Sequence, residues 1–91
     1  MAKLIQPDGT ETEVKPKNGT DFKLEELQEF VGGYIEIAYP QSPSHHDEIL
    51  VINEEGKLNG LEFNLLASAI YHVSDDVIVG PALLCNNSEV K

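Results

Sequence analysis

At Gly32-Gly33 the hydrophobic period of the chain changes, and that switch commits it to a mixed architecture. Before the glycine pair, Leu24, Leu27 and Phe30 or Val31 recur at helical spacing, with Glu25, Glu26 and Glu29 on the other face. Thr20 or Asp21 can cap the first turn of this helix, whose acids suit the positive end of its dipole, and the glycines supply a left-handed stop. After them, Tyr34-Ile35-Glu36-Ile37-Ala38-Tyr39 alternates with period two until Pro40. That is a strand, with Ile35, Ile37 and Tyr39 on one face and Tyr34, Glu36 and Ala38 on the other.

The remaining elements are placed by their punctuation. Lys3-Leu4-Ile5 leads into Gln6-Pro7-Asp8-Gly9, in which Pro presets a turn and Gly closes it, so Thr10 to Lys15 returns as the second arm of a hairpin and an exposed edge of the sheet. Gln41 to Asp47 has loop composition, and Ile49-Leu50-Val51-Ile52 then reads as a buried central strand. Asn53-Glu54-Glu55-Gly56 matches a type I turn that returns into Lys57-Leu58. Leu61, Leu65, Leu66, Ala69 and Ile70 mark a second helix running to Tyr71, with Asn59 as its cap. Val77 to Leu84 is the last strand, bent at Gly80-Pro81 because Pro cannot donate to a ladder. The order β-β-α-β-β-α-β, with short connections, predicts an α+β fold over residues 1–91 as a single domain. Its sheet is expected to be mostly antiparallel, with both helices over one face.

Charge narrows the functional classes. Sixteen acids stand against six lysines, with no arginine, and the formal charge is −10. Nucleic-acid affinity comes from neutralising phosphates, so direct nucleic-acid binding is disfavoured. An acidic surface suits solubility, a basic protein partner or mimicry of nucleic acid. No apolar stretch approaches the length that spans a bilayer, and Met1 to Asp8 meets an acid before a signal-like segment develops, so a cytosolic address is expected. The single Cys85 ends an apolar run and reads as a small core hydrophobe.

Signatures of catalysis are missing: no nucleophile elbow, phosphate loop, Cys-x-x-Cys pair or dinucleotide fingerprint occurs. A non-enzymatic role without cofactor is therefore expected. His45-His46-Asp47-Glu48 has metal-ligand types but poor spacing, because adjacent side chains on extended backbone point to opposite sides. A binding surface is the remaining candidate. With the second helix starting after Lys57-Leu58-Asn59-Gly60, its backbone N–H groups and a nearby ammonium would suit a phosphate. Asn53, Asn59 and Asn64 could add amide contacts, and Tyr34, Tyr39 or Tyr71 could stack on a base. Ordinary turn chemistry and wet tyrosine hydroxyls explain the same residues without a ligand.

Three runs taken together carry a resemblance that covers nearly the whole chain. They are Leu24-x-x-Leu27-Gln28-x-x-Val31-Gly32-Gly33-Tyr34-Ile35-Glu36, then Asn53-Glu54-Glu55-Gly56-Lys57-Leu58-x-Gly60-Leu61 with Asn64, and Asp76-Val77-Ile78-Val79-Gly80. The set resembles a family of short uncharacterised proteins of bacteriophages and mobile elements. That family usually has a basic residue or two after the motif Asn, where this chain has Leu65-Leu66. The resemblance implies a context of stoichiometric binding. One expectation is a homo-oligomeric sponge that sequesters a nucleotide-derived host immune signal through Lys57, Asn59, Asn64 and a stacking Tyr34 or Tyr39. The other is an acidic inhibitor that binds a host protein, imitating DNA, through Glu25, Glu26, Glu29, Glu54 and Glu55. Signal sequestration is placed slightly ahead.

Overall fold

The computed structural model describes residues 2–41, 43–45, 47–73 and 75–90. Along them run β1 (Ala2–Ile5), β2 (Glu11–Val14), α1 (Leu24–Val31), β3 (Ile35–Ala38), β4 (Glu48–Asn53), α2 (Leu65–Tyr71) and β5 (Ala82–Asn86). Short 3-10 turns occupy Pro43–His45 and Asn87–Glu89. This is the α+β order read from the sequence. The strands join one antiparallel sheet in the order β2-β1-β5-β4-β3.

The hairpin forms where its turn residues place it. The Gln6 amide donates to the Thr10 carbonyl at 2.8 Å, the Thr10 amide to the Asp8 carboxylate at 2.8 Å, and Gly9 takes the left-handed conformation with φ +93°. The Asn53 turn also forms as expected, closed by the Gly56 amide on the Asn53 carbonyl at 3.2 Å. Lys57-Leu58 does not return as a strand, because turns continue to Gly60.

The layering differs from expectation: the two helices cover opposite faces of the sheet. In the register, Ile49 faces Cys85 and Val51 faces Leu83, and these four pack with Phe22, Leu27 and Val31 on the α1 side. Between them, Leu50 pairs with Leu84 and joins Ile5, Ala38, Ala67 and Ile78 on the α2 side. The reason is that β4 and β5 are apolar at consecutive positions. Successive strand side chains exit opposite faces, so a strand of this kind presents apolar surface on both sides and each needs a cover.

Element boundaries shift for local reasons. Helix α1 starts at Leu24, not near Asp21, because the Asn18 side-chain oxygen accepts from the Thr20 and Asp21 amides at 2.9 Å each and holds them in a turn. Thr20 and Asp21 are therefore not its caps. Glu26 reaches back instead, accepting from the Lys23 amide at 2.8 Å, and Gly32 closes the helix with φ +78°. Helix α2 starts at Leu65 and its cap is Asn64, not Asn59. The chain before it, residues 62–64, is held extended: Phe63 bridges Val79, the Gly80 amide donates to Glu62 at 2.7 Å and the Asn64 amide to Ile78 at 2.9 Å. Leu61 thus lies outside the helix, and Leu65 is 68% exposed, whereas Leu66, Ala67 and Ile70 face the sheet. Strand β5 begins after Gly80-Pro81, where Gly80 has φ +76°.

Candidate functional site

Below α2, on its face of the sheet, a groove of about 550 Å³ opens beside edge strand β3. Three stretches line it: Glu36 to Tyr39 at the β3 edge, the turn residues Asn53 to Glu55 with Lys57 and Leu58, and Asp76 to Val79. The lining includes apolar Ile52 and Ile78, and it offers Leu58, Val77 and Tyr39, exposed at 83%, 41% and 62%. Its charged lining among the described residues is four carboxylates, Glu36, Glu54, Glu55 and Asp76, against one ammonium, Lys57.

Asp76 organises this lining. One carboxylate oxygen accepts from the Lys57 ammonium and from the Val77 amide at 2.8 Å; the other accepts from the Tyr71 hydroxyl at 3.1 Å. The Lys57 bond, then the Val77 amide, hold the Asp76 carboxyl below its ordinary range, and the same pairing pushes the Lys57 ammonium up. Burial first, then the bond to Asp76, pushes the Tyr71 hydroxyl up. Both partners of the ion pair are therefore charged at neutral pH, and Lys57 meets its compensation within the groove lining. Glu36, Glu54 and Glu55 form no ion pair among the described residues.

The groove brings together only part of the expected ligand set. Lys57 and Tyr39 line it, with Tyr71; Tyr34, 68% exposed, and Asn59 lie outside the lining. Asn64 is fully buried: its side-chain oxygen caps the Ala67 amide at 3.1 Å, and its amide donates to the carbonyls of Ile5 and Gly80 at 2.9 Å each. Its side chain is closed to solvent and these bonds hold it inside the fold. The start of α2 at Leu65 also removes the helix entrance that was expected beside Lys57. Of the expected acidic surface, Glu25, Glu29, Glu54 and Glu55 are exposed, whereas Glu26 is 8% exposed and bonds the Lys23 and Lys17 amides.

His45 pairs through Nδ1 with Glu48 at 2.6 Å, and His46 lies outside the described residues. Among the described residues, no cluster of three potential ligands is placed to hold a metal. No helix among them is long and apolar enough to cross a membrane. Cys85 is buried at the sheet, where burial pushes its thiol up to about 12, consistent with a core role. Sequence reading missed Asp76 as the hub and Leu58 and Val77 as apolar lining. Asp76 meets Lys57 across 19 positions, a separation at which no local pattern signals contact.

Residues 2–90 match the family described as Domain of unknown function (DUF3846), and the chain belongs to that family. No curated protein and no solved structure matches it.

Proposed function

For this member of the DUF3846 family we propose a non-enzymatic binding role in which the groove receives a lysine- or arginine-rich segment of a protein partner. The carrying observation is the groove's chemistry: a lining with apolar Ile52, Ile78, Leu58 and Val77 and four carboxylates, whose one lysine is already paired with Asp76. Complementary potential steers a cationic segment into such a site, and the apolar lining supplies the contact area. The resemblance to bacteriophage and mobile-element proteins supports a host protein as the partner, with the net charge of −10 as the long-range attraction. A nucleotide-derived signal is the second reading, favoured by Lys57, Tyr39 and Tyr71 sharing the groove. It requires phosphates to sit among Glu36, Glu54, Glu55 and Asp76, against their field.

Replacing Lys57 separates these readings because they predict opposite signs. A peptide of alternating valine and lysine should bind Lys57→Gln more tightly than wild type by roughly two- to fivefold, the range of one exposed charge. Its affinity should also fall as salt rises from roughly 0.05 M to roughly 0.3 M, where the Debye length shortens below about 10 Å. Nucleotide sequestration predicts a thermal shift with cyclic dinucleotides or ADP-ribose derivatives that Lys57→Gln abolishes. Calorimetry showing salt-independent peptide binding, or none, overturns the basic-segment reading.

A further inference from the structure

The two edges of the sheet are protected unequally. At one edge, β2 carries Glu11 and Glu13, runs into Lys15-Pro16, and Lys3 reaches across to Glu11 at 3.6 Å. Charged side chains on the strand are a usual means of blunting an edge. At the other, β3 reads Ile35-Glu36-Ile37-Ala38, with one charge and no bulge in its paired residues, and Pro40 follows it at the spacing at which Pro16 follows β2, so the edges differ in charge.

The hydrogen-bond phase of β3 follows from one contact. The Glu54 amide donates to the Tyr34 carbonyl at 2.9 Å, so the 34/54 pair is a hydrogen-bonded one. Antiparallel pairs alternate, and the register Glu36↔Ile52 and Ala38↔Leu50 continues that phase. Ile35 and Ile37, opposite Asn53 and Val51, therefore turn their amide and carbonyl groups away from β4 to the open side. No backbone partner from the rest of the fold meets them among the described residues. On the α1 side their side chains are half-buried against the core, while Glu36 is exposed on the groove side.

We propose that the partner segment binds in extended form, as a further strand along β3, with apolar and basic residues alternating in its sequence. This deepens the groove reading and rests on it. Residues placed opposite Ile35 and Ile37 point to the α1 face and extend its apolar surface. Residues opposite Glu36 point into the groove, where Glu36, Glu54 and Glu55 are available to a cation. Backbone pairing to Ile35 and Ile37 supplies affinity, and the alternating side chains supply selectivity.

The test uses the intact chain and three forms of the alternating valine-lysine peptide: the parent, one N-methylated at every valine nitrogen, and one at every lysine nitrogen. Charge and side chains are the same in all three. A strand on β3 turns only one of the two nitrogen sets towards Ile35 and Ile37. One methylated form should therefore bind within about twofold of the parent while the other loses about tenfold or more, as a lost backbone pairing requires. Which form fails reports the strand direction. Equal affinity of both methylated forms, or equal loss, overturns the edge proposal and leaves the groove reading standing, provided the parent binds. Failure of the parent removes both.

Discussion

Asn64 shows how completely one side chain can be absorbed by a fold. Its oxygen satisfies an orphan amide at the start of α2, and its nitrogen bonds two carbonyls from separate parts of the sheet region, Ile5 and Gly80. Asn64→Ala removes the cap and leaves two buried acceptors short of a donor, which should cost about 3 kcal/mol in urea denaturation. Asn64→Asp keeps the cap but turns an anionic oxygen towards those carbonyls, so it should be less stable than Asn64→Ala at neutral pH. An Asn64→Ala variant as stable as wild type would show that this network carries no weight. From the sequence, Asn64 was readable only as an amide available for contacts. Its role depends on Ile5, 59 positions away, a distance over which residue type alone says nothing.

Among the elements, α1 is short, Leu24–Val31, and its entrance depends on Glu26. Two backbone amides, Lys23 first and Lys17 second, hold the Glu26 carboxyl below its ordinary value. A carboxyl lowered on folding stabilises the native state above its unfolded pKa, and that stabilisation is lost as pH falls through the folded value. Thermal melts from neutral pH downward should therefore show wild type losing stability from about pH 5, with Glu26→Gln less stable at neutral pH and the two curves converging in acid. Asp8 and Asp76 are lowered too, so the signature is the difference between the curves. Parallel curves would show that Glu26 is not the titrating cap. The helix itself was legible because Leu27, Val31 and the glycine stop are local signals. Its capping was not, since Asn18 captures the amides of Thr20 and Asp21 before they can enter the helix.

At the scale of the molecule, a formal charge of −10 on 91 residues opposes compaction, and the groove concentrates part of it. Raising sodium chloride from roughly 0.02 M to roughly 0.5 M should screen this repulsion and raise the melting midpoint by several degrees, about 1 kcal/mol for a domain of this size. Potassium chloride should act equally, because the effect is screening and not site binding; an unchanged midpoint would show that the carboxylates are spaced widely enough not to interact. What the sequence alone determined is what the backbone decides locally: the β-β-α-β-β-α-β order, the Gln6–Gly9 hairpin, the Asn53 turn and the edge position of β2. Those follow from the period of apolar residues and the φ preferences of Gly, Pro and Asn. Only the tertiary structure decided that the helices lie on opposite faces, that Asn64 is buried, and that Glu36, Lys57 and Asp76 share one groove. Strands apolar on both sides carry no mark of which helix covers which face, and the groove is assembled by pairings between distant segments, whose energy is absent from any window of neighbouring residues.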